Sequence, residues 1–289
     1  MWITDMLASP LMQRALIVAV LVGFSAPIVG TYLVQRSMAL MGDGIGHISL
    51  TGVALGWIVG AAIGIEPVDA LAIPGAVVAS IAGATLIELL RLRGHTGSDV
   101  ALAMLFYGGI AGGVILIRIA GGTTTNLTSY LFGSIATVST SDVYYTIGLA
   151  VVIVAIGLGL RGPLFALSHD EEFARASGLR VAALNIVVAV LAALTVSVSM
   201  RVVGVLLVSA IMIVPVAIAQ LVSHSFVNTM RIATVIGIIA TIAGLVITYR
   251  VAASPGAMIV VLLIGLYIVV ALIKAGTGFL VRKVTVKKL

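Results

Sequence analysis

The sequence contains no cysteine, and only 9% of its 289 residues are charged. Without cysteine there is no disulfide, no thiolate metal site and no cysteine nucleophile. A soluble domain carries about 25% charged residues, so this chain is no ordinary water-soluble globule. It has no G-x-x-x-x-G-K-[ST] phosphate loop and does not bind ATP in that manner. The run GDGIG at 42–46 follows no strand and is not a dinucleotide fingerprint. There is no H-E-x-x-H, and no second intramembrane aspartate that would complete an aspartyl dyad. An enzyme reading therefore has little support. No basic segment precedes the first apolar run, so a cleaved signal peptide is not expected.

What is present is apolar. Hydrophobic residues make up 61% of the chain, and the mean hydropathy is +1.28. The apolar runs are long and continuous rather than alternating, which favours helices over a barrel. The expectation is an all-α polytopic membrane protein, one transmembrane domain over 1–289. The 32 glycines suit helices that approach closely where lipid gives no hydrophobic drive. At about 20 apolar residues per crossing, roughly nine spans are expected: 14–35, 39–60, 70–90, 99–119, 142–161, 183–200, 202–222, 231–250 and 255–274. The turn at Met200–Arg201 is very short, and eight spans result if one of them is broken.

Lysine and arginine set the expected orientation. Twelve of the 16 fall on one side: Arg36, Arg91, Arg93, Arg161, Arg175, Arg180, Arg231, Lys274, Arg282, Lys283, Lys287 and Lys288. That side is read as cytoplasmic, placing the N-terminus outside and the C-terminus inside. Arg14, Arg118, Arg201 and Arg250 then count to the other side, with Glu66 and Asp69 in an outer loop. The basic tail 281–289 reads as a topological anchor beside anionic lipid.

Two loops stand out. Residues 120–141 form a polar outer loop whose patch YLFGSI suits a re-entrant or surface helix. Its Asn126-Leu127-Thr128 sequon is read as chance. Residues 162–182 carry Ser168 as a candidate N-cap, Asp170, Glu171 and Glu172 for a first turn, and Gly178 as a stop. A short amphipathic helix is expected there, either a plain connector or a docking element.

The chemistry-bearing residues are Asp43 and His47. Four residues apart, they share one helix face, which Thr51 extends. Counted from Ser37, His47 lies roughly 15 Å deep, near the bilayer middle. An ionisable group there costs about 3 kcal/mol and normally faces a cavity or a partner. A carboxylate and an imidazole suit Zn²⁺, Mn²⁺ or Fe²⁺. The same pair would also serve a helix–helix hydrogen bond or a proton relay. His95, His169 and His224 fall in loops or at a helix end and are read as solvated. Gly52, Gly56, Gly60 and Gly64 read as a packing stripe. Ser209 and Pro215 mark a helix that suits either a pathway lining or a structural kink.

These stretches together resemble the membrane permeases of bacterial ABC importers for zinc, manganese or iron. The resemblance is carried by 36-RSMALMGDGIGHISLTGVALG-56, 130-YLFGSIATVS-139, 169-HDEEFARASGL-179 and 203-VGVLLVSAIMIVPVAIA-219, in family order. It implies a fold like the vitamin and siderophore importers and a transport subunit with no cofactor of its own. Its implied partners are a second permease copy, two separate ATPase subunits at the cytoplasmic face, and an extracellular or periplasmic metal-binding protein. Asp170, Glu171, Glu172, Phe173, Arg175 and Gly178 would belong to the helix seated in the ATPase, and Asp43 and His47 would line the metal path. The form of HISLTGVALG is closest to the zinc type, so Zn²⁺ is the expected cargo, with Mn²⁺ or Fe²⁺ as alternatives. A gradient-driven secondary transporter is the remaining rival.

Overall fold

The computed structural model describes residues 2–67, 69–93, 98–251 and 253–286. Within them the chain is helical throughout and has no strand. Eight helices are long and apolar enough to cross a membrane. They belong to α2 (Pro10–Gln35), α3 (Met41–Ala62), α4 (Ala72–Arg93), α5 (Ser98–Ile119), α7 (Thr140–Gly159), α10 (Val181–Ser199), α12 (Phe226–Thr248) and α13 (Pro255–Val286). Shorter helices lie between or before them: α1 (Trp2–Ala8), α6 (Thr124–Phe132), α8 (Arg161–His169), α9 (Glu171–Ala176) and α11 (Val208–Val222).

The ninth expected crossing is α11, only 15 residues long. At 1.5 Å per residue it covers about 22 Å of a hydrocarbon layer about 30 Å thick. The compact turn at 200–207 makes up the difference, with Val202, Val203 and Val205 all buried. Sequence alone extends this helix back to 202 because the segment is uniformly apolar. Gly204, with φ at 87°, breaks it.

Glycines set the helix spacing. Gly52 and Gly56 of α3 press against Gly75, Ala76 and Leu71 around the start of α4. On the other side of α3, Gly109 and Gly113 of α5 lie on the backbone of His47 and on Leu50. Gly30 of α2 meets the backbone of Met212 in α11. The expected stripe is therefore real at Gly52 and Gly56. Gly64 instead lies beyond the end of α3 at φ 71°, in open space.

One end of the bundle is stitched by the patch YLFG. Thr123 and Asn126 close a capping box that starts α6, so the helix expected at YLFGSI begins earlier, ends at Phe132 within the patch, and occupies the Asn126 side chain. The α6 end then docks on the turn at 200–207. Val205 N–H donates to Tyr130 O at 2.9 Å, Leu206 N–H to Leu131 O at 3.1 Å, and Ser134 N–H to Arg201 O at 3.0 Å. Gly133 and Gly204 face each other across this seam, where a Cβ on either would strike backbone.

Arg201 sits at the centre of that end. The count of topological charges gives it only a side of the membrane; in the fold it is buried, with 4% accessible. Its guanidinium reaches Asp69 Oδ2 at 3.2 Å and Asp142 Oδ2 at 3.4 Å. It also lies 5.1 Å from the centroid of the Tyr130 ring. Burial would lower its pKa, but the neighbouring Asp142 and Asp69 carboxylates favour the charged form and it is left raised. Burial likewise pushes the Tyr130 phenol up to about 12. Asp142 is buried too, and it caps α7 by accepting from Ser139 N–H at 2.9 Å. A cavity of about 330 Å³, lined by Trp57, Asp69, Asn126, Tyr130 and Arg201 among others, opens beside the cluster.

Candidate metal site

Asp43 and His47 stand one turn apart near the start of α3. The helix begins late because α2 ends in a tight left-handed turn. Ser37 takes φ 55°, and Met38 N–H donates back to Leu33 O at 2.9 Å. Helical rise therefore counts from Met41 rather than Ser37. His47 lies about 9 Å along α3, in the first third of the helix and short of the middle expected from sequence.

Asp43 is half-buried, and His47 is only 2% exposed. The imidazole stands edge-on to Phe106 of α5, with ring centroids 4.2 Å apart. Its Nδ1 has no hydrogen-bond partner among the described residues. An orphaned ring nitrogen at this burial is costly, and a cation with an empty coordination position would satisfy it. The rival hydrogen bond to a neighbouring helix is not made at that atom. Thr51 takes no part: its hydroxyl donates to Gly109 O at 2.9 Å and joins α3 to α5. Among the described residues no group of three or more His, Asp or Glu comes together as a metal cage.

Ser209 and Met212 of α11 lie against Gly42. Pro215 is buried within α11, so the proline-bearing helix borders the same segment of α3 as the Asp43–His47 pair. His169 and His224 are exposed, in keeping with solvated loop histidines. His95 lies outside the described residues.

The start of this segment is tied to α9. Arg36, at the end of α2, reaches Glu171 Oε2 at 3.4 Å, and the Arg36 side chain is nearly buried. Glu171, grouped by sequence with the docking residues, is partly exposed and bridges two cations, Arg36 at the bundle and the exposed Arg175 at 3.4 Å. Ser168 is not the cap of α9. It lies inside α8, buried, with its hydroxyl donating to Leu164 O. The cap is Asp170, which accepts from Phe173 N–H at 2.9 Å. Gly178 ends the turn at φ 81°, with Leu179 N–H returning to Ala174 O at 3.1 Å. Glu172, Phe173 and Arg175 remain directed outward, and Phe173 is 64% exposed. A large aromatic displayed on a six-residue helix between charged neighbours has the composition of a contact surface.

Residues 8–274 match the ABC 3 transport family. The chain is 35% identical over 249 residues to the manganese import system permease protein ScaB of Streptococcus parasanguinis, covering 86% of this chain and 85% of that one. It is 32% identical over 272 residues to the chelated iron transport system membrane protein YfeD of Yersinia pestis, covering 94% and 88%. Its fold is similar to the solved structure of PsaBC from Streptococcus pneumoniae in complex with Fab, with a TM-score of 0.81, 30% identity and 93% of each chain covered. By sequence match over nearly its whole length and by fold, this chain belongs to the ABC 3 transport family.

Proposed function

We propose that this chain is the membrane-spanning permease of an ATP-driven importer of divalent metal, with Mn²⁺ as its cargo. The carrying observation is His47. A buried imidazole nitrogen without a partner stands one turn from a carboxylate, at the foot of the helix whose entry is salt-bridged to α9. The zinc expectation yields to manganese. The relative ScaB is named for manganese, whereas YfeD is named for iron, and Asp plus His suits Mn²⁺ as well as Zn²⁺.

In this reading two permease copies meet so that the Asp43–His47 pairs of both face one path. The two carboxylates offset the charge that hydrocarbon leaves uncompensated, and four side chains with water complete the coordination. Holding is deliberately incomplete, because a closed cage would trap the ion. The orientation follows the charge bias: the α9 end is cytoplasmic, where two ATPase subunits seat against Glu172, Phe173 and Arg175. A metal-binding protein delivers from the opposite end, beside the Arg201 cluster. Movement of α9 is transmitted to α3 by the Glu171–Arg36 pair, giving alternating access.

Two experiments test this. Phe173→Asp and Glu172→Lys are expected to abolish copurification of an ATPase subunit while the permease still inserts in the membrane. Unchanged copurification would remove the docking role from α9, and absence of any ATPase subunit from the unaltered permease would favour a gradient-driven carrier. A deletion strain is expected to regain growth on low micromolar Mn²⁺ and not on Zn²⁺; rescue by Zn²⁺ alone would reinstate zinc as cargo.

A further inference from the structure

A second cavity, of about 1160 Å³, lies between α2, the α7–α8 corner and α12. Its deep wall is apolar: Phe24, Ile28, Leu158, Val235 and Ile238. Several of these side chains are open to the surroundings, Val235 at 55% and Leu158 at 41%. Its mouth is basic. Arg161 and Arg231 line it and are exposed, and no Asp or Glu is among the lining residues. Neither arginine has an ion-pair partner among the described residues. The mouth shares the α9 end of the bundle, since Arg161, Phe165 and His169 of α8 form part of it. From Arg231 to Ile238 is about 10 Å along α12, so the apolar wall runs into the membrane while the cations remain at its edge.

We propose that this crevice holds one anionic phospholipid, an acyl chain against the apolar wall and the phosphate between Arg161 and Arg231. A soluble subunit at this end can cover the mouth but has nothing to lay along a wall inside hydrocarbon. A zwitterionic lipid fills the wall and carries a phosphate, but it also brings a choline cation that offsets that phosphate beside two guanidiniums. An anionic headgroup satisfies both, as basic pockets between membrane helices do elsewhere. The inference requires only that the chain spans a membrane. It stands or falls independently of metal transport and of ATPase docking.

The test is native mass spectrometry of the permease, purified from its membrane with whatever subunits accompany it. The sample is equilibrated with equal amounts of phosphatidylglycerol and phosphatidylcholine of matched chains. Two cations near one headgroup predict a preference of about 30-fold for phosphatidylglycerol. Arg161→Gln with Arg231→Gln is expected to bring the ratio close to one. The paired lysine substitutions are expected to keep most of it, and Arg118→Gln at the opposite end to leave it unchanged. Leu158→Trp, which keeps both cations and fills the wall, is expected to release the lipid. Equal retention of the two lipids by the unaltered protein would overturn the proposal. So would a preference that survives the double glutamine variant, an equal drop in Arg118→Gln, or full lipid retention in Leu158→Trp.

Discussion

Arg201→Ala is expected to remove most folded permease from the membrane, although residue 201 touches neither Asp43 and His47 nor α9. The guanidinium is the only cation bound to Asp69 and Asp142 among the ion pairs described. Of the two, Asp142 is 4% exposed and also caps α7. Truncating one partner leaves a buried charge uncompensated, at a cost of about 3–5 kcal/mol. That is a large part of the 5–15 kcal/mol typical of a folded domain. Arg201→Lys keeps the charge but cannot bridge two carboxylates with a planar fork, and its loss should be intermediate. Membrane abundance and melting temperature in detergent measure both. An Arg201→Ala protein that accumulates and melts like the parent would show that the cluster is not a structural centre. Replacing Arg201, Asp69 and Asp142 together by apolar residues should recover part of the loss, since no charge is then stranded.

His47→Ala and Asp43→Ala are expected to leave abundance and ATPase copurification intact and to stop uptake. Losing a direct ligand should cost at least what losing an outer-shell partner costs, about 10–100-fold. His47→Ala is the cleaner of the two because its Nδ1 makes no internal hydrogen bond to lose. Stability should therefore fall by the lost packing with Phe106 and the space left behind, with no hydrogen bond at Nδ1 to lose. Removing a group whose burial is costly offsets part even of that. A structural role predicts the opposite pattern: lower abundance with transport per molecule preserved. Uptake of radioactive Mn²⁺, normalised to permease in the membrane, separates the two. Asp43→Asn should keep the helix and its shape while removing the charge that compensates the ion, so its uptake should also collapse.

The parts of the fold set by local pattern were legible in the sequence. Long apolar runs marked the crossings, and Gly178 marked the stop of α9. Gly52 and Gly56 marked the face that meets α4. The one helix that came out shorter, α11, did so because Gly204 must lie at positive φ to seat the YLFG segment. That requirement is created by a partner some 70 residues away, and apolar composition does not reveal it. The pairing of Arg201 was hidden for the same reason. Its pairing with Asp69 joins positions 132 residues apart, and a charge in a short turn looks the same in sequence whether solvated or clamped. At the site, the Asp43–His47 spacing announced itself, because ionisable groups are rare inside apolar runs. The distribution of duties within 168–178 did not. Asp170, Glu171 and Glu172 are three consecutive acids, and only their neighbours make one a cap, one a tie to Arg36 and one an outward contact. The orphaned Nδ1 of His47 was equally hidden, since it depends on an apolar ring, Phe106 of α5, packing against the imidazole.

The central claim is that a passing cation is bound by His47. It is tested most directly by pulsed electron paramagnetic resonance of Mn²⁺ on the purified permease assembled with its ATPase. The account predicts nitrogen coupling to the bound Mn²⁺ from an imidazole, present in the unaltered protein and absent in His47→Ala. Coupling that persists unchanged in His47→Ala, or Mn²⁺ bound with no nitrogen coupling at all, would contradict it.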